Sequence, residues 1–158
     1  MTLVVEDGSK VTGANTYITL AEFKAWADAR GVHYNSDAHV TRDILRAMDY
    51  IEELLFIGVK ETRDQALQWP RVDVVIDGYA LDVGEIPKEL KNAAYELVKA
   101  IIDGDNKLNP VRRQIVREKV ENGIDVTYKS NAGMQRHTPA VTRALRKLIR
   151  SPMEVTRA

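Results

Sequence analysis

The sequence predicts a mainly α protein: a small bundle of three to four helices, with a β-hairpin inserted ahead of a basic C-terminal helix. Three observations carry this. Apolar residues recur at helical spacing in three stretches before residue 105, each with a start and a stop signal. Past residue 110 the period changes to two, and Glu121-Asn122-Gly123 sits between β-branched runs, the strongest short hairpin signal. A last apolar stripe at helical spacing follows Thr138-Pro139.

The chain opens with two extended pieces, Leu3-Val-Val-Glu-Asp7-Gly8 and Ala14-Asn15-Thr16-Tyr17-Ile18. Thr19-Leu-Ala-Glu22 is a capping box: the threonine hydroxyl accepts from the Glu22 N–H while the glutamate reaches back. The helix it opens runs to about Arg30, with Gly31 as stop and Phe23, Trp26 and Ala27 on one face. Ser36 or Asp37 caps the next helix, expected to reach Phe56. Its apolar stripe is Val40, Ile44, Ala47, Ile51 and Leu54 or Leu55, and Gly58 ends it. A third helix starts at Pro87, where a missing N–H is harmless, and ends before Gly104. Leu90, Ala94, Leu97, Val98 and Ile101 face inward.

Between the second and third helices lies a pinned stretch. Gln65-Ala-Leu-Gln-Trp69-Pro70-Arg71 contains a fixed corner, because proline locks its own φ and pushes Trp69 towards an extended conformation. Asp77-Gly78 is a tight-turn signal. Trp69 and Pro70 are read as structural, Trp69 as core rather than a ligand-stacking surface. Asn122 and Gly123 are structural in the same sense, as the hairpin turn. The strands of that hairpin are expected within 111–129, with Ile124, Val126 and Tyr128 alternating with Asp125 and Thr127. Residues 130–138 are polar and read as a tether to the last helix, which is expected to run to about Arg150. The domain reading is a body over 1–129 and a tether with a basic amphipathic helix over 130–158.

The 158 residues fit one domain. There is no apolar run near membrane-spanning length, and no basic segment followed by an apolar core at the N-terminus, so neither a membrane span nor a signal peptide is expected. Cysteine is absent, which excludes disulfides and thiolate chemistry. The net charge is zero but split. Residues 1–105 carry 11 Lys and Arg against 19 Asp and Glu, a net of −8, and residues 106–158 carry 12 against 4, a net of +8. An acidic body with a basic C-terminal third points to a nucleic-acid or acidic-protein partner, or to neutralisation within the fold or between copies.

No catalytic constellation stands out. His33 and His39 bracket Asp37, but no further ligands join them and the spacing is not that of a helical metal pair; they and His137 read as surface or loop residues. The serines lack a nucleophile-elbow context and there is no glycine-rich phosphate loop. No enzyme activity, cofactor or metal is expected. For single-stranded nucleic acid the basic third lacks stacking partners: Tyr128 is the only aromatic residue beyond Tyr95. The last helix carries Arg143, Arg146, Lys147 and Arg150 beside an apolar edge of Val141, Leu145 and Leu148. These seven residues are the expected partner-binding set, on a helix too short to persist alone.

The ordered motifs resemble a known family. Val5-Glu6-Asp7-Gly8, Ala14-Asn15-Thr16-Tyr17-Ile18, Arg46-Ala47-Met48-Asp49-Tyr50-Ile51, Gln65-Ala66-Leu67-x-Trp69-Pro70-Arg71, Asp77-Gly78, Ile86-Pro87-x-x-Leu90-Lys91-x-Ala93 and the hairpin through Tyr128 occur in the same order in phage proteins described as DnaT-like single-stranded-DNA-binding proteins. The resemblance covers about residues 3–129. Such proteins also look like head–tail connector, or adaptor, proteins of tailed phages. That resemblance implies a structural virion subunit, made in the host cytoplasm, at the neck between head and tail. Its partners would be its own copies in a ring (twelvefold if it copies the portal), the portal protein, a downstream tail or stopper protein, and DNA passing non-specifically through the channel. The alternative it implies is a single-stranded-DNA-binding protein of phage replication. The two are separated by whether the neighbouring genes encode portal and tail proteins or helicase and primase.

Overall fold

Thr19 opens the first helix through the expected capping box. Its Oγ1 accepts from the Glu22 N–H at 3.0 Å, and Glu22 Oε2 accepts from the Thr19 N–H at 2.6 Å. The computed structural model describes residues 2–104, 115–120, 124–128 and 139–150. Four helices occur there: α1 (Leu20–Asp28), α2 (Asp37–Glu52), α3 (Lys88–Ile102) and α4 (Pro139–Leu145). Three antiparallel strand pairs join them: β1 (Val59–Lys60) with β2 (Arg71–Val72), β3 (Val75–Ile76) with β4 (Tyr79–Ala80), and β5 (Ile115–Val120) with β6 (Ile124–Tyr128). The class is therefore mainly helical with a hairpin ahead of the last helix, as the sequence predicts.

Helix α3 is the central element. It packs against α1, α2 and α4, and Leu90, Ala94, Leu97 and Val98 are buried as their spacing requires. Pro87 turns out to be the residue before the helix, extended at ψ 140°, rather than its first residue. Helix α2 buries Val40, Ile44, Ala47 and Ile51 but stops at Glu52, short of the expected Phe56. Phe56 leaves the helix to pack edge-on against Trp69, with ring centroids 5.6 Å apart. Helices α1 and α4 also end earlier than the sequence suggests, at Asp28 and Leu145. Helix α1 is tied to α3 by Lys91 on Glu22 at 3.0 Å and by the Trp26 ring stacked on Tyr95, centroids 5.5 Å apart.

The pinned stretch is core. Trp69 is fully buried, and the bond from it to Pro70 is cis. The hairpin β5–β6 pairs Val120 with Ile124 and Ile115 with Tyr128, with a register shift between Ile115 and Glu118. Its turn residues Asn122 and Gly123 lie outside the described residues, as do 130–138 and His137.

The two smaller strand pairs are absent from the sequence reading. Both are only two residues long. For β3–β4 the signal was present, since Asp77 (φ 53°) and Gly78 (φ 87°) form a two-residue turn with both residues left-handed.

Candidate nucleic-acid interface

The seven residues expected to meet a partner divide into two groups. Val141, Leu145 and Leu148 have no solvent exposure and belong to the main core, packed with α3 of the same chain. The expectation of a free docking arm is thereby corrected: this apolar edge is covered by its own body. The reason is energetic. A short amphipathic helix is unstable alone, and α3 offers an apolar face that buries three large side chains. The segment just past α4 completes the closure. The Ile57 N–H donates to the Leu148 carbonyl and the Arg150 N–H to the Leu55 carbonyl, both at 2.9 Å. Phe56 and Ile149 form an antiparallel bridge.

Arg143, Arg146, Lys147 and Arg150 are exposed. Arg143 lies in α4, Arg146 and Lys147 in the turn that follows it, and Arg150 just past the bridge at Ile149; residues 139–150 contain no acidic side chain. Two contacts fix this segment on the body. Lys147 Nζ lies 2.5 Å from Asp77 Oδ2 in the β3–β4 turn. Arg150 Nη2 donates to the Gly58 carbonyl at 3.3 Å, an oxygen that also accepts from Arg71 Nη2 at 2.9 Å. Burial, and then the nearby charge of Arg150, hold the Arg71 guanidinium below its ordinary pKa. Cationic potential thus concentrates at this end of α4.

The motif around Trp69 is scaffold beneath that segment. Gln65 is buried with its amide satisfied: Nε2 donates to the carbonyls of Leu67 and Pro70, and Oε1 accepts from the Thr62 N–H. Arg71 donates to the carbonyls of Ile57, Gly58 and Gln68 and to Gln68 Oε1. Glu52 accepts from the Gln68 N–H at 2.7 Å and from the Tyr17 hydroxyl at 2.5 Å. Tyr17 in turn accepts from the Trp69 N–H at 3.1 Å. Composition hid these polar residues, because in a highly charged chain Arg71 and Glu52 look like solvated surface.

The N-terminal motif is scaffold too. The Glu6 carboxylate, nearly fully buried, accepts from the N–H groups of Gly8, Lys10 and Val11 and so folds the loop around itself. His33 and His39 are exposed, and Asp37 between them is engaged by Lys24 at 2.7 Å. Among the described residues no helix is long and apolar enough to cross a membrane.

A family model described as "Putative DnaT-like ssDNA binding protein" matches residues 1–158, and so includes the stretch past residue 129 that the sequence motifs left out. No curated protein and no solved structure matches the chain.

Proposed function

The chain belongs to this DnaT-like family, and from that premise we propose that it binds single-stranded DNA without sequence preference, through phosphate contacts made by the cationic side chains of α4 and the turn after it. One observation carries the reading: Arg143, Arg146, Lys147 and Arg150 stand exposed on a segment anchored to the core by the fully buried Val141, Leu145 and Leu148. Phosphate contacts of this kind release counterions, so affinity falls steeply with salt. The reading involves no catalysis. Anisotropy titration of a labelled oligonucleotide at several salt concentrations tests it. The parent is expected to bind with a negative salt slope, and the double variant Arg143→Glu, Arg146→Glu to lose binding with its melting temperature unchanged. Binding that is unaffected by the double variant overturns the assignment of the surface.

A second reading is a head–tail connector subunit, a ring between portal and tail around the DNA channel. It is favoured by the apolar side chains that this chain leaves in solvent: Leu55 (77 % exposed), Val83 (73 %), Val75 and Val59. Packing between copies would cover such residues. The same cationic side chains would then meet DNA passing through the channel. Light scattering on the purified protein, alone and with portal particles, separates the readings. A monomer that binds oligonucleotide supports the first; a closed ring or a portal complex supports the second.

A further inference from the structure

We infer that Tyr79, at the tip of the β3–β4 hairpin, is a base-stacking residue of this cationic surface, so that a bound strand lays its phosphates along the basic row and a base on the phenol. The inference rests on the reading that single-stranded DNA occupies that surface. Tyr79 is 79 % exposed, the most exposed of the large apolar side chains among the described residues. Its backbone is nonetheless fixed. Its cross-strand partner Ile76 packs on the core, and the intervening Asp77–Gly78 turn is the tight two-residue kind. Asp77 in that turn is gripped by Lys147, 70 residues away in sequence. The hairpin turn is thus tied by an ion pair to Lys147 within the basic row, and Tyr79 follows that contact by two residues in the chain.

This answers the objection that the basic third lacks aromatic residues. A strand-binding surface combines a cationic track with an aromatic face, and stacking tolerates any base because every base has a π-face. Here the cations come from α4 and the turn after it, and the ring comes from a hairpin distant in sequence, an arrangement that only the fold creates. Asp77 adds a gate: its carboxylate occupies Lys147, and a phosphate arriving there competes for the same ammonium.

The test compares the full-length parent, Tyr79→Ala and Tyr79→Phe against oligo(dT) and an abasic oligonucleotide of equal length, across salt. Tyr79→Ala is expected to weaken oligo(dT) binding roughly tenfold. Its salt slope and melting temperature should stay parental, as should its affinity for the abasic strand. Tyr79→Phe should retain the parent's preference for oligo(dT). If the parent binds oligo(dT) and Tyr79→Ala binds it equally well, or loses both ligands alike, the stacking role is overturned while DNA binding stands. If the parent binds neither strand at low salt, the DNA reading itself fails, and the stacking role with it.

Discussion

The Tyr17 hydroxyl donates to the Glu52 carboxylate at 2.5 Å while accepting the Trp69 N–H at 3.1 Å, so one phenol joins the N-terminal segment, the end of α2 and the Trp69 corner. Tyr17→Phe removes both bonds and leaves the Trp69 N–H buried without an acceptor. A loss of about 1–3 kcal/mol is expected. The loss should depend on pH. Burial holds the Glu52 carboxyl above its ordinary value of 4.5, and the bond from Tyr17 pulls it back down. A carboxyl whose folded pKa is raised contributes most below its unfolded pKa, and that contribution disappears as pH rises through the folded value. Without Tyr17 the folded value climbs further. The penalty in urea melts should therefore be larger at about pH 8 than at about pH 4; an equal penalty at both would contradict this account of the pair.

Arg71→Lys should destabilise the protein despite keeping the charge. The guanidinium satisfies the carbonyls of Ile57, Gly58 and Gln68 from one planar group, which a lysine cannot do. The Ile57 and Gln68 carbonyls would lose this donor while Gly58 keeps Arg150, and leaving part-buried carbonyls short of a partner costs about 1 kcal/mol or more. Chemical denaturation of the lysine variant gives the number directly, and a parental midpoint would show that the carbonyls find other donors.

Leu145→Ala should cost about 2–5 kcal/mol, as for other fully buried leucines. Deleting residues 131–158 should do more, exposing the α3 face and giving an unfolded or aggregating monomer. A truncated chain that stays folded and monomeric would mean that α4 is dispensable to the core.

Gly8→Ala tests the close approach of two loops. Gly8 has φ +102°, and a methyl group placed there would lie 1.7 Å from the Gly84 carbonyl oxygen. The N-terminal loop must separate from the 84 loop to accept it. Faster amide exchange at Lys10 and Val11, whose N–H groups the Glu6 carboxylate holds, is the expected signature. Unchanged exchange would show that the two loops separate without disturbing that network.

What the sequence made legible is what is local. The capping box at Thr19, the stripes of α2 and α3 and the β5–β6 pairing follow from spacing and turn chemistry alone. The position of Trp69 was legible because a Trp-Pro corner between apolar helices has few other places to go. What stayed hidden depends on contacts distant in sequence. An amphipathic stripe on Val141, Leu145 and Leu148 declares that the helix needs a partner without saying whether the partner is its own α3 or another molecule. Arg71, Gln65 and Glu6 look like surface residues until the carbonyls and amides that they satisfy are in place. The same holds for the interface, since Asp77 and Lys147 meet only once the chain has folded.

The closure of residues 148–150 onto 55–57 also dictates an order of events. A nascent chain carries α1, α2 and α3 out of the ribosome well before α4 appears, and until then the part of α3 that α4 covers is open. Contacts that span so much chain form late, because the connecting loop must first be closed. The interval between synthesis of Ile102 and of Ile149 is therefore when this chain is most exposed to proteases and to self-association, and a stalled or truncated product would remain in that state.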